Sequence, residues 1–226
     1  MPITFVAASA NAAAASGDLT VTPPAGLQDD DIMILAVTSH DNVSITLPGG
    51  WFIYQGANNT TAMRATLAWK RVAGAQSAFT ITHTGGDGIV ANLSAYRGCL
   101  VTATPINASV LTANASSSTC TAATITSTED NCMLVFTMHD SDDGASSAQS
   151  SANLGSMSAN ERFENASTLG LDESVSLADI LQGAQGASGA STGTLSLGPD
   201  VNSGGNTFLQ PQPTATHTEF RVPQAA

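Results

Sequence analysis

Apolar and polar residues alternate with a period of two along most of the chain, the mark of strands with one buried and one wet face. Ile3-Thr4-Phe5-Val6 opens the pattern and Leu19-Thr20-Val21 continues it. Met63 to Val72 sets Met63, Ala65, Leu67 and Trp69 on one face. Ala78 to His83 and Ile89 to Tyr96 flank a turn at Gly85-Gly86-Asp87-Gly88. Asp31 to Thr38 is almost continuously apolar, which suits a central strand buried on both faces. Further strands are predicted at 107–111, 121–126, 132–138, 162–168, 174–181, 192–197 and 216–222. No stretch holds a 3.6-residue period; the nearest, Leu177 to Leu181, is short and stops close to Gly183.

Pro23-Pro24-Ala25-Gly26 and Pro48-Gly49-Gly50 punctuate the strands as turns, and the Gly-, Ala- and Ser-rich stretch 183–193 reads as a flexible loop or a close-packed turn. The spacing predicts an all-β fold: an antiparallel β-sandwich, jelly-roll-like, over residues 1–210, followed by an extended Pro-marked tail at 211–226. There is an internal echo. Asp30-Asp31-Ile32-Met33-Ile34-Leu35 recurs as Asp130-Asn131-Cys132-Met133-Leu134-Val135, and Gly74-Ala75-Gln76 recurs as Gly183-Ala184-Gln185. Two halves, at about 1–105 and 106–210, each contributing half of a pseudo-symmetric sandwich, are the expectation.

Charge narrows the function classes. Charged residues make up 11% of the chain, against roughly a quarter in an ordinary domain. The net charge is −12, from 6 basic and 18 acidic residues. Neither the basic footprint of a nucleic-acid binder nor the attraction to anionic lipid is present, so neither nucleic acid nor membrane is expected as a partner. The Ala-rich stretch Met1 to Gly17 lacks a basic start and is read as part of the fold. Three cysteines, Cys99, Cys120 and Cys132, show neither disulfide nor zinc spacing and are expected as buried thiols.

Candidate chemistry is sparse. His40-Asp41 and His139-Asp140 each end an apolar strand, where a histidine can bind metal and a carboxylate can orient it. Asp140, Asp142 and Asp143, ahead of Gly144, are calcium candidates, although their spacing departs from the helix–loop–helix calcium loop. Glu161, Glu164, Asp172 and Glu173 carry carboxylates with nothing to pair them across a cleft. The nucleophile elbow, the zinc-protease motif and the phosphate-binding loop are all absent from the sequence, so no catalytic residue and no organic cofactor is assigned. Trp51, Tyr54, Trp69 and Tyr96 offer either a sugar-stacking platform or core packing. Seven Asn-x-Ser/Thr sequons follow from the abundance of these residues.

Gly17-Asp18-Leu19, Asp31 to Leu35, Gly50-Trp51, Ala68-Trp69-Lys70, Phe79-Thr80-Ile81 and Ala95-Tyr96-Arg97-Gly98 form a progression over roughly residues 1–105, with a fainter echo from 120 to 197. In this the chain resembles bacteriophage and prophage virion proteins. The resemblance implies a β-sandwich on the virion exterior, assembled in the host cytoplasm, with the major capsid protein, other virion proteins and further copies of itself as partners. It implies structural markers and no catalytic residue. Capsid decoration is the expected role, and a tail- or fibre-borne receptor or carbohydrate module the alternative. The Pro-rich C-terminus departs from the plain apolar strand that often ends such proteins. Ile3, Phe5, Phe220 and Val222, in the two chain ends, are the expected partner contacts, by strand addition to a neighbour's sheet edge.

Overall fold

Nine strands arise from the first hundred residues of the computed structural model, which describes residues 2–85, 88–141, 151–155 and 157–213. They are β1 (Thr4–Ala8), β2 (Ala12–Ala14), β3 (Leu19–Val21), β4 (Ile32–His40), β5 (Ile45–Thr46), β6 (Phe52–Asn59), β7 (Met63–Arg71), β8 (Phe79–His83) and β9 (Ile89–Arg97). Eleven more follow: β10 (Ile106–Ser117), β11 (Thr119–Ala122), β12 (Thr126–Ser127), β13 (Cys132–Asp140), β14 (Ser151–Leu154), β15 (Met157–Ser158), β16 (Asn160–Ser167), β17 (Glu173–Gln182), β18 (Gly186–Ala187), β19 (Ser191–Thr194) and β20 (Asp200–Leu209). Every strand pair is antiparallel. The fold is all-β, with antiparallel sheets packed face to face as in a β-sandwich.

Two large sheets share one plan. The first runs β1-β9-β4-β7-β6, with β2 also beside β9, and the second runs β10-β20-β13-β17-β16. Their inner faces meet in one apolar layer, where Ile32, Ile34, Leu67, Val90 and Tyr96 pack against Met133, Val135, Phe163, Val175, Leu177 and Leu209. Each outer face has its own cover. Met33, Leu35 and Val37 pack under the sheet β3-β8-β5, and Leu134, Phe136 and Met138 under β11-β19-β14-β15. The expected antiparallel sandwich is formed by the two large sheets, and the small sheets add a layer on each outer side, giving four layers in the order small, large, large, small. This explains why β4 and β13 are apolar at nearly every position: both of their faces are interior.

The two halves correspond one residue away from the match read in the letters. Even-numbered residues of β4 point into the shared layer, whereas odd-numbered residues of β13 do. The turns agree. Asp30 and Asn131 take the left-handed conformation (φ 72° and 59°), and their N–H groups donate to the carbonyls of Val72 and Gly183. The carboxylates of Asp29 and Asp130 accept from the N–H groups of Gly74 and Gln185. So Asp29 matches Asp130, and Thr38 matches His139. Aligning Asp30 with Asp130 would turn each side chain to the opposite face.

β20, a central strand of the second sheet, escaped the sequence reading because Ser203-Gly204-Gly205 resembles a turn. The glycines serve close approach instead. A Cβ on Gly204 would lie 2.5 Å from the Thr121 carbonyl, and one on Gly205 would lie 2.5 Å from Thr137 Oγ1 and 3.0 Å from a Leu67 methyl. The stretch 183–193 is close-packed rather than a single turn: it holds β18 and the start of β19, Ser188 N–H donates to the Ile125 carbonyl at 2.8 Å and Gly189 abuts Gly155. Leu177 to Leu181 lies inside β17. The strand predicted at 216–222 lies outside the described residues.

Asparagine side chains cross between the halves. Asn59 Nδ2 donates to the Asn114 and Asn202 carbonyls at 2.7 and 2.6 Å, and Asn165 Nδ2 donates to the Ala12 carbonyl at 3.0 Å and to Asn92 Oδ1 at 2.7 Å. Four of the seven sequon asparagines are thus bonded inside the fold.

Because the halves share a core, urea unfolding followed by circular dichroism and by tryptophan fluorescence is expected to give coincident single transitions. Leu67→Ala should lower stability by about 2–5 kcal/mol through the cavity it leaves, and Gly205→Val by about 1–3 kcal/mol through overpacking at the same place. Two resolved transitions in the parent chain would contradict a shared core.

Candidate functional site

The sequence drew attention to the strand ends that carry His40-Asp41 and His139-Asp140, and these ends meet. β4 and β13 finish side by side, and β17 begins next to them at Glu173. His139 is fully buried between the large sheets. The Thr38 hydroxyl donates to the Ser174 carbonyl at 2.9 Å, so its oxygen accepts from His139 Nδ1–H at 3.0 Å. Nε2 then accepts from the Thr137 hydroxyl at 3.2 Å. Burial pushes the imidazole down to about 3, partly opposed by the nearby Val37 backbone. His139 is therefore neutral with both nitrogens engaged, and it fills a place equivalent to that of its own partner, Thr38.

His40 differs: its Nδ1 lies 3.1 Å from the buried Glu173 carboxylate and its Nε2 lies 3.5 Å from Asp41. Gly88 lies against Glu173, where any Cβ would collide with the carboxylate, and its carbonyl accepts from His40 N–H at 3.0 Å. His83, at the end of β8, is lowered by burial, against a hydrogen bond to Gly17 and the fields of Asp18 and Asp41. Among the described residues, no three of these side chains converge on a point that could hold a metal ion. Of the calcium candidates, Asp140 is the last residue of β13, buried opposite Ser174 and Asn202. Asp142 and Asp143 lie outside the described residues.

Of the carboxylates flagged in the sequence, Glu161 and Glu164 stand on β16, Glu173 opens β17 and Asp172 precedes it. The charged site on these strands is one the sequence reading missed. Asp179, fully buried, accepts two bonds from Arg162, each at 2.8 Å, and one from the Tyr96 hydroxyl at 3.0 Å. Arg162 also lies 4.3 Å over the Phe5 ring. Its neighbour Glu161 is raised by burial. The available signal was an arginine inside an alternating strand of a chain with only 6 basic residues.

The residues that carry the resemblance are structural here. Tyr96 bonds across the halves to Asp179. Arg97 grips buried Asp31 through two bonds, 2.8 and 2.7 Å. Gly98 takes φ 86° where a Cβ would meet the Pro2 carbonyl at 2.8 Å. Half-buried Tyr54 bonds Thr207 at 3.1 Å, and Trp51 packs on Phe79 with centroids 5.0 Å apart. Trp69 alone of the four aromatics meets an exposed partner. Phe52 stacks on it at 4.8 Å and is 56% exposed, next to Ile53 at 49%. The three cysteines are buried free thiols, with Cys99 raised to about 12 and Cys132 to about 11, chiefly by desolvation.

Ile3 and Phe5 are not free contact residues. Ile3 lies in the shared core, and Phe5 packs edge-on against Tyr96 at 5.9 Å, because β1 pairs with β9 and its apolar side chains fill the space between the large sheets. Phe220 and Val222 lie outside the described residues. The chain approaching them is held at Gln212, whose N–H donates to the Gly98 carbonyl at 2.8 Å. An open groove of about 830 Å³ lies there, lined by Pro2, Leu100, Asp130, Gln185, Pro211 and Pro213. Comparison with family models, with curated proteins and with solved structures finds no match for the chain.

The His139 environment predicts an acid-sensitive interior. Its pKa is lower folded than unfolded, so the unfolded chain binds the extra proton, and stability falls as pH drops from about 6.5 toward 3. The full effect is on the order of 4–5 kcal/mol. Urea unfolding across that range should show a weaker pH slope in His139→Gln than in the parent chain. Equal slopes would remove His139 as the source.

Proposed function

We propose that this chain is a bacteriophage virion structural protein, a decoration or cement protein on the capsid exterior that binds the major capsid protein or other virion proteins. The observation that carries the reading is how the resembling residues are used. Tyr96, Arg97 and Gly98 each hold one part of the fold to another, and the charged groups Asp179, Arg162 and Asp31 are taken up in the same work. What remains available is surface: an acidic exterior with net charge −12 and the open edge of β6. A protein of this kind acts by contact.

Exposed Phe52 stacked on Trp69 favours a second reading, a carbohydrate- or receptor-binding module on a tail or fibre, since stacked aromatics can face a sugar ring. Quantitative mass spectrometry of purified virions separates the two. Hundreds of copies per particle are expected for a shell protein; a handful would overturn the capsid role in favour of the tail. A glycan array is expected to give no hit that Phe52→Ala removes, and such a hit would favour the second reading.

A further inference from the structure

We infer that the outer edge of β6 is an acceptor for a strand from a second copy of this chain, and that the donated strand is residues 216–222. The inference deepens the proposed structural role by naming a partner for this surface, and it rests on that reading only in placing function in chain-to-chain contacts.

The argument begins with the four edges of the large sheets. Natural sheets protect their edges with charge, cover or brevity. β16 carries Glu161, Arg162 and Glu164. β1 is short, at 5 residues. β10 is long but bonded along its flank, where Thr112 Oγ1 accepts from Ala123 N–H and Asn114 Nδ2 donates to the Thr121 carbonyl. β6 is tied to β10 by side chains, Gln55 Nε2 on Ser109 Oγ at 2.9 Å and Asn59 Nδ2 on the Asn114 carbonyl at 2.7 Å. Its 8 residues, FIYQGANN, nevertheless contain no charge, and among the described residues no second strand joins β7 beside its main chain. Phe52 and Ile53, the two most exposed large apolar residues of its sheet, stand at its start.

The occupant is argued from the remaining sequence. Thr216, Thr218, Phe220 and Val222 alternate with His217, Glu219 and Arg221, giving a strand with one apolar and one charged face. Phe220 and Val222 share a face, as Phe52 and Tyr54 do on β6. Glu219 then falls on the opposite face, where Arg64 donates to Asn58 Oδ1 at 2.5 Å and brings a positive charge beside this edge, with Lys70 near its start at Gly50. Added strands take affinity from main-chain bonds and specificity from alternate side chains.

Direction selects a second copy over the chain's own tail. The tail leaves beside Gly98, at the end of the sheet where β6 begins, and from β9 to β6 is three strand spacings, about 14 Å. A tail that crossed this distance in its own molecule would run along β6 in parallel. Every strand pair among the described residues is antiparallel, and a neighbouring copy can enter in that sense.

The test uses three proteins: the full chain, a chain ending at Pro213, and full-length Ile53→Lys. Sedimentation velocity over a concentration series should show the full chain associating and both variants losing that association, with unchanged melting temperatures marking them as folded. A 1:1 mixture of the two variants has one intact tail and one intact edge, so it should form a heterodimer. A synthetic peptide of residues 214–226 should bind the shortened chain, and Ile53→Lys introduced into that chain should weaken binding at least about tenfold. A monomeric full chain, a mixture that stays monomeric, or peptide binding indifferent to Ile53→Lys would each overturn the inference. None of these outcomes alters the copy number per virion, so the two proposals fail separately.

Discussion

The apolar layer between the two large sheets is the constraint on which the rest of the molecule depends. Neither large sheet can stand alone, because each would expose an inner face of Ile, Leu, Val and aromatic side chains to water. Burying both faces of β4 and β13 forces the small sheets to the outside, and so produces four layers from two similar halves. It also fixes how closely the halves approach, which in turn requires Gly205 opposite Leu67.

Polar groups trapped at this layer give it a register. Apolar surfaces alone would tolerate sliding, whereas the Thr38–His139 contact, the Asn59 and Asn165 side chains, and the Asp179–Arg162–Tyr96 cluster can each be satisfied in one arrangement only. A buried ion pair contributes little net stability after desolvation, but removing one partner is costly, so the cluster penalises wrong arrangements more than it rewards the right one.

The fold class was legible because alternation and turn residues report directly on sheet burial. β4 in particular was readable as a doubly buried strand from its unbroken apolar run. β20 was not, because Gly204 and Gly205 meet a steric demand set by Thr121, Thr137 and Leu67, residues far away in the sequence. The one-residue offset between the halves was hidden for a related reason: similar letters recur at Asp30 and Asp130, while the backbone turn that sets the faces recurs at Asp30 and Asn131. The chemistry was legible in its scarcity but not in its placement. His139-Asp140 stood out as a pair, yet its burial depends on which face of β13 meets the other half. Ile3 and Phe5 looked like a free end because sequence does not say that a terminal strand has a space waiting for it.

The order of the strands along the chain has a consequence for how the molecule forms. β20 lies between β10 and β13, so the second large sheet stays open until almost the last described residue has been made. The first half, synthesised long before, waits with its inner face uncovered. Contacts between such distant positions make assembly slow and leave an aggregation-prone interval. Interlocking of this kind also raises the barrier to coming apart, so that persistence becomes a matter of escape rate more than of equilibrium. The fold thus exchanges quick assembly for slow escape.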